Sequence, residues 1–185
     1  MERAYTFLGG ADGPWRVLRV EGIGGEPLPR AARVDVENAL IAVPPPGANW
    51  LLRGVTSNER YVTRAERERL IAIQPGLGRP QASRAALIPI RKSASWWQLS
   101  QDERREIIEA RSEHISTGMR YLPAVARRLH HSRDLGEPFD FITWFEYAPE
   151  HSEEFEDLVA RLRATEEWKY VEREVDVRLI LDSAA

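Results

Sequence analysis

Residues 139–181 read FDFITWFEYAPEHSEEFEDLVARLRATEEWKYVEREVDVRLIL, and this stretch decides the fold class. Phe139–Tyr147 is dense in aromatic and β-branched side chains, which suit a pleated strand. Glu150–Arg163 then places Phe155, Leu158, Val159 and Leu162 at helical spacing, giving one apolar face. In Trp168–Leu181, the apolar Val171, Val175, Val177, Leu179 and Leu181 alternate with Glu172, Glu174, Asp176 and Arg178, the period of a strand. A strand, a helix and a strand thus follow one another within a single core-forming segment.

The same pattern recurs upstream. Ala85–Ile90 reads as a buried strand. Ser100-Gln101-Asp102-Glu103 has the form of a capping box, opening a helix through Ile107, Ile108 and Ala110 to about Gly118. Pro123 starts a further helical piece ending near His131. Nearer the N-terminus, Leu51–Val55 is a strand, and Thr63-Arg64-Ala65-Glu66 repeats the capping signal before a helix carrying Leu70 and Ile73. Tyr5–Leu8 and Trp15–Val20 are two short strands, and the glycine-rich link between them is expected to be a hairpin turn. It lacks the Lys-Ser/Thr and following helix of a phosphate loop. Gly22–Asn49, rich in Gly and Pro, is expected to be an irregular connection. The order of elements implies an α+β protein of two strand–helix–strand halves, residues 1–90 and 91–185, sharing one core.

Composition narrows the chemistry. With no cysteine in 185 residues, disulfides, thiolate haem, iron–sulfur clusters and zinc ribbons are excluded. A net charge of −3 gives no basic excess for nucleic acid. No apolar run has the length of a signal peptide or a membrane span, so a cytoplasmic protein without membrane contact is expected. Of 26 basic residues only Lys92 and Lys169 are lysine, which draws attention to both.

Four histidines leave few ligand sets. On a continuous helix His114 shares the apolar face of Ile107 and Ala110, as a hydrogen-bonded core residue or as an axial haem ligand. His130 and His131, being adjacent, point apart and do not form a zinc pair. Arg127, thirteen residues after His114, can return to the same site because Gly118 and Pro123 interrupt the helix. Lys92-Ser93-Ala94-Ser95-Trp96-Trp97 offers either core packing or a wall for a large aromatic ligand, with Lys92 pairing a carboxylate at its rim. Glu166 and Glu167 are either solvated or the acceptor for a ligating imidazole's second N–H.

Taken in order, His114, Arg127, the window Lys92–Trp97, residues 136–147 and Thr165-Glu166-Glu167-Trp168 resemble the chlorite dismutases, in their short-chain form. The resemblance implies two ferredoxin-like halves forming a barrel of the dimeric α+β barrel superfamily. It implies a homodimer with one haem b per subunit, held in the C-terminal half. The activity implied is conversion of chlorite to chloride and molecular oxygen: ferryl haem and hypochlorite form, and the distal arginine retains hypochlorite until the O–O bond closes. On this resemblance His114 is the axial iron ligand and Glu167 its hydrogen-bond partner, with Glu166 adjacent. Arg127 is the distal arginine and Gln74 its hydrogen-bonding neighbour. Arg60, Tyr61, Val62, Lys92 and Trp96 surround the haem propionates, and Trp97 belongs to the wall. Leu129, Thr143 and Phe145 line the distal pocket. The competing readings are coproheme decarboxylase, whose members generally lack the distal arginine, and a non-catalytic haem carrier or sensor. A dye-decolourising peroxidase would use a distal Asp–Arg pair, for which no clear match exists.

Overall fold

The computed structural model describes residues 3–57, 61–73 and 76–182. Eight strands close into one antiparallel barrel: β1 (Ala4–Gly10), β2 (Trp15–Gly24), β3 (Arg33–Glu37), β4 (Ala48–Thr56), β5 (Arg84–Lys92), β6 (Val125–His131), β7 (Phe141–Tyr147) and β8 (Val171–Leu181). Around the barrel the order is β1-β3-β2-β8-β5-β7-β6-β4. Read as two sets of four, both halves have the strand sequence fourth, first, third, second. A boundary at residue 90 falls inside β5, which pairs with β7 and β8 of the second set.

Alternation of side chains across the strands separates two cores. Phe7, Val34, Leu52, Leu87, Ile142, Trp144, Val175 and Val177 come from both halves and fill the barrel interior. Ala86, Ile88, Ile90, Phe141 and Phe145 take the opposite face and pack under α5 (Ser152–Arg163) through Phe155, Leu158, Val159 and Leu162. Each such buried side chain contributes about 1.5–3 kcal/mol, so the stripe on α5 is what fixes the helix over the sheet.

Several expectations are corrected. The link between β1 and β2 is not a hairpin turn: β3, from the stretch expected to be irregular, lies between those strands and pairs with both. Gly13, at φ 129°, lets the chain pass against β3, since a Cβ there would lie 2.5 Å from the Val34 carbonyl oxygen. Residues 125–131 form strand β6 rather than a helix, because their pairing with β7 outweighs the helix propensity of Ala126, Arg127, Arg128 and Leu129. The helix from Ser100 is also not continuous. It divides into α3 (Gln101–Arg105), a π-helical turn over Glu106–Arg111, a left-handed Glu113 at φ 49° and α4 (His114–Arg120). The remaining helices are α1 (Arg64–Ile73) and α2 (Ala94–Gln98).

Candidate functional site

His114 is the first residue of α4, so its place depends on how that helix begins. The π turn carries Glu109 around to accept hydrogen bonds from the backbone N–H groups of Ile115 (2.8 Å) and Ser116 (3.3 Å), which the helix itself leaves without partners. Two residues before His114, the Ser112 hydroxyl accepts from the Glu167 N–H at 2.9 Å. This brings the short 3₁₀ turn Glu167–Tyr170 against the start of α4. The Glu167 carboxylate then meets His114 Nδ1 at 2.5 Å through Oε2 and Lys92 Nζ at 2.8 Å through Oε1.

Of this triad, Lys92 and Glu167 are buried, and His114 is partly so. Burial alone pushes the Glu167 carboxyl up, but His114 and Lys92, by charge and hydrogen bond, outweigh it and hold the group well below the usual carboxylate range. Glu166, the alternative partner, faces outward to Arg111 at 3.3 Å. Lys92 is expected at a ligand's rim, yet it is only 3% exposed. Its place at the end of β5, on the face shared by Ile88 and Ile90, directs the ammonium to Glu167 instead.

The cleft beside the triad encloses about 1160 Å³, part of it open to solvent. Its lining unites Tyr61, Val62, Lys92, Trp96, His114 and Glu167 with Arg127, Leu129, Thr143 and Phe145. The last four are cross-strand neighbours: Arg127 lies opposite Phe145 and Leu129 opposite Thr143 on β6 and β7. The helical reading of residues 123–131 missed that period-two arrangement. Burial draws the Arg127 guanidinium below its ordinary pKa, but arginine remains charged in proteins. The guanidinium rests against α4 at Gly118, where a Cβ would fall 2.0 Å from Nη1.

Trp96 is fully buried in α2, whose start is capped by Ser93. Trp97 does not line the cleft. It stacks on Phe141, which does, and its Nε1 donates to Asp140 at 3.2 Å. Asp140 was not among the expected site residues; it also accepts the Lys92 backbone N–H at 2.6 Å. Trp168, Glu174, Ile88, Ile90, Ile108 and Ile115 are further lining residues absent from the sequence expectation. The alternation of β5 and β8 was the signal available for Ile88, Ile90 and Glu174. Arg60 and Gln74 lie outside the described residues. Two buried polar atoms on the cleft side chains, Tyr61 Oη and Trp96 Nε1, have no hydrogen-bond partner.

Among the described residues the arrangement offers one imidazole engaged at Nδ1, one guanidinium and largely apolar walls. The family model for chlorite dismutase matches residues 48–179. The chain belongs to the chlorite dismutase family. A dimeric chlorite dismutase from Nitrobacter winogradskyi is 57% identical over 95% of this chain and 99% of its own, with a TM-score of 0.89. A mutant chlorite dismutase from Candidatus Nitrospira defluvii is 29% identical over 72% of this chain and 55% of its own, with a TM-score of 0.59. The chlorite dismutase of Ideonella dechloratans is 39% identical over 62 residues, which span 34% of this chain and 20% of that protein. Among the described residues no helix is long and apolar enough to cross a membrane.

Proposed function

We propose that this chain binds haem b in the cleft and converts chlorite to chloride and molecular oxygen. One observation carries the reading. Among the described residues, one imidazole, fixed through Nδ1 by a buried carboxylate, shares an otherwise largely apolar cleft with one guanidinium. The two buried donors without partners, Tyr61 Oη and Trp96 Nε1, fit the propionates of a haem, and Val62 lines the same cleft. When bound, the haem supplies an iron centre able to accept and return an oxygen atom.

His114, engaged at Nδ1, would hold the haem iron through Nε2. Glu167 takes the Nδ1 hydrogen and makes the ring more basic, while Lys92 balances the buried carboxylate. Arg127 attracts the chlorite anion and holds the anionic chlorine species so that it does not escape. Leu129 and Phe145 keep water from screening that charge, and Thr143 adds a hydroxyl to the same wall. Arg127 does not act as a base, because it keeps its proton at any working pH. The shared strand order supports two ferredoxin-like halves, with the division just before β5 and the site in the second half. The likeness to the Nitrobacter winogradskyi protein supports a homodimer.

The test is an oxygen-electrode trace after chlorite is added to haem-reconstituted protein, with a Soret spectrum recorded first. The expected result is a haem spectrum and prompt oxygen release. Arg127→Ala keeps the haem, slows oxygen release and leaks hypochlorite to a chemical trap. Haem without oxygen overturns the chlorite reading in favour of coproheme decarboxylation or haem carriage. No Soret band overturns the haem reading altogether.

A further inference from the structure

Trp168 follows Glu167 in the chain and lies against two members of the triad. Its ring is nearly parallel to the His114 imidazole, at 24° and a centroid distance of 6.5 Å. The Lys92 ammonium lies 5.4 Å from the indole centroid. The indole is tied at its other end, where Nε1 donates to Glu174 Oε2 at 2.8 Å. Glu174 is 2% exposed and lines the cleft. It is itself held through Oε1 by Arg163 Nε at 2.8 Å, and Arg163 Nη2 continues to Asp176 at 2.7 Å. A chain of charge-assisted hydrogen bonds under α5 therefore ends on an aromatic plate beside the imidazole.

Resting on the haem reading above, we propose that Trp168, locked by Glu174, is a positioning residue that sets the plane of the His114 ring toward the iron. The hydrogen bond from Nδ1 to Glu167 leaves the imidazole free to rock about that bond. A fixed indole face limits the rocking, as partners beyond the ligand shell commonly do for metal-bound histidines. The Nε1–Glu174 bond is what prevents the indole from turning with it. Trp168 lines the cleft, but the part proposed for it is played through His114.

The experiment compares wild type, Trp168→Phe and Trp168→Leu as ferrous holoproteins. One readout is the iron–histidine stretching band in resonance Raman; the other is the rate of haem transfer to apomyoglobin. Trp168→Leu, lacking a ring, is expected to shift and broaden the band and to release haem about tenfold faster, the lower end of what outer-shell partners cost. Trp168→Phe keeps a ring but loses the tie to Glu174, and falls between Leu and wild type. A Leu variant with the wild-type band and a release rate within about twofold overturns the proposal. So does a variant that melts earlier while its band stays unchanged, because packing alone then explains the indole. A Phe variant identical to wild type overturns the part assigned to Glu174. Should the Leu variant not fold, the Phe variant decides alone: a shifted band upholds the proposal and an unchanged one overturns it. Failure of the wild type to take up haem is distinct, since it overturns the haem reading and the proposal with it.

Discussion

Strands β2 and β8 lie side by side, and each carries an arginine and an acid two residues apart. Arg19 and Glu21 on β2 are the register partners of Arg178 and Asp176 on β8. The chemistry is the same, but the surroundings are not. Arg19 and Glu21 are 45% and 46% exposed and 3.5 Å apart, whereas Arg178 and Asp176 are 8% and 0% exposed and 2.5 Å apart. The difference is helix α5. It lies over the second half of the sheet and supplies Glu156 to Arg178 and Arg163 to Asp176. Residue type alone does not place a charge inside or outside; the connection that covers the strand does. The cleft exists only on the covered side, and the buried pairs lead into its wall through Glu174.

Removing one acid from each strand turns this contrast into numbers. Asp176→Ala leaves Arg178 and Arg163 each short of a buried partner and is expected to cost about 3–5 kcal/mol. Glu21→Ala removes only an exposed, screened contact and stays within about 0.5 kcal/mol. Urea unfolding of the two variants measures both. Equal losses would mean that α5 does not shield its side of the sheet from water.

A second contrast runs through the barrel wall at β6, where His130 faces inward. It sits edge-on to Tyr5 and Phe7, with Nδ1 3.1 Å from the Ile142 carbonyl. Burial pushes its pKa down to about 4, and Arg128 adds to the depression while the carbonyl opposes it. An unfolded histidine takes up a proton near pH 6.5. Between these values the unfolded chain binds more protons, so the contribution is complete above pH 6.5 and is lost as the pH falls to 4. The loss is about 3 kcal/mol. His130→Gln should flatten the fall in urea midpoint between pH 7 and 4 relative to wild type. Parallel profiles would show that this ring does not govern the acid limb.

What the sequence made legible follows from periodicity. The α5 stripe, β5, β7 and β8 are legible because their apolar residues keep one period and pack on one core. Both capping boxes form as read: Ser100 N–H donates to Glu103 at 2.7 Å and Thr63 N–H to Glu66 at 2.6 Å. β6 was hidden because its inward face holds His130 and its outward face Arg127, so polar residues interrupt the alternation on both sides. The break before His114 was hidden because the left-handed residue is Glu113, where glycine would have signalled it. The resemblance already paired Glu167 with His114 but placed Lys92 at the propionates; only the 3₁₀ turn brings Lys92 onto the same carboxylate. Trp168 belongs to a motif that carries the resemblance, but nothing in the sequence ties it to Glu174, six residues further along.

Gly118 makes the finest contrast, because it concerns a single methyl group on the covered side. In an exposed helix, Gly→Ala stabilises by up to about 1 kcal/mol. Here the added Cβ would lie 2.0, 2.9 and 3.1 Å from Nη1, Cζ and Nη2 of Arg127. Those atoms are the far end of a flexible side chain, so the guanidinium moves while α4 stays. Gly118→Ala is therefore expected to change the melting temperature little and to keep the Soret band, with His114 still anchored by Glu167 and by the Glu109 cap. Oxygen release from chlorite should nevertheless fall about tenfold or more, approaching Arg127→Ala, since displacing a positioned catalytic group by about 1 Å can cost a hundredfold. Full activity with haem retained would mean that Arg127 works from a position that does not rest on α4, and the close approach at Gly118 would then be packing alone.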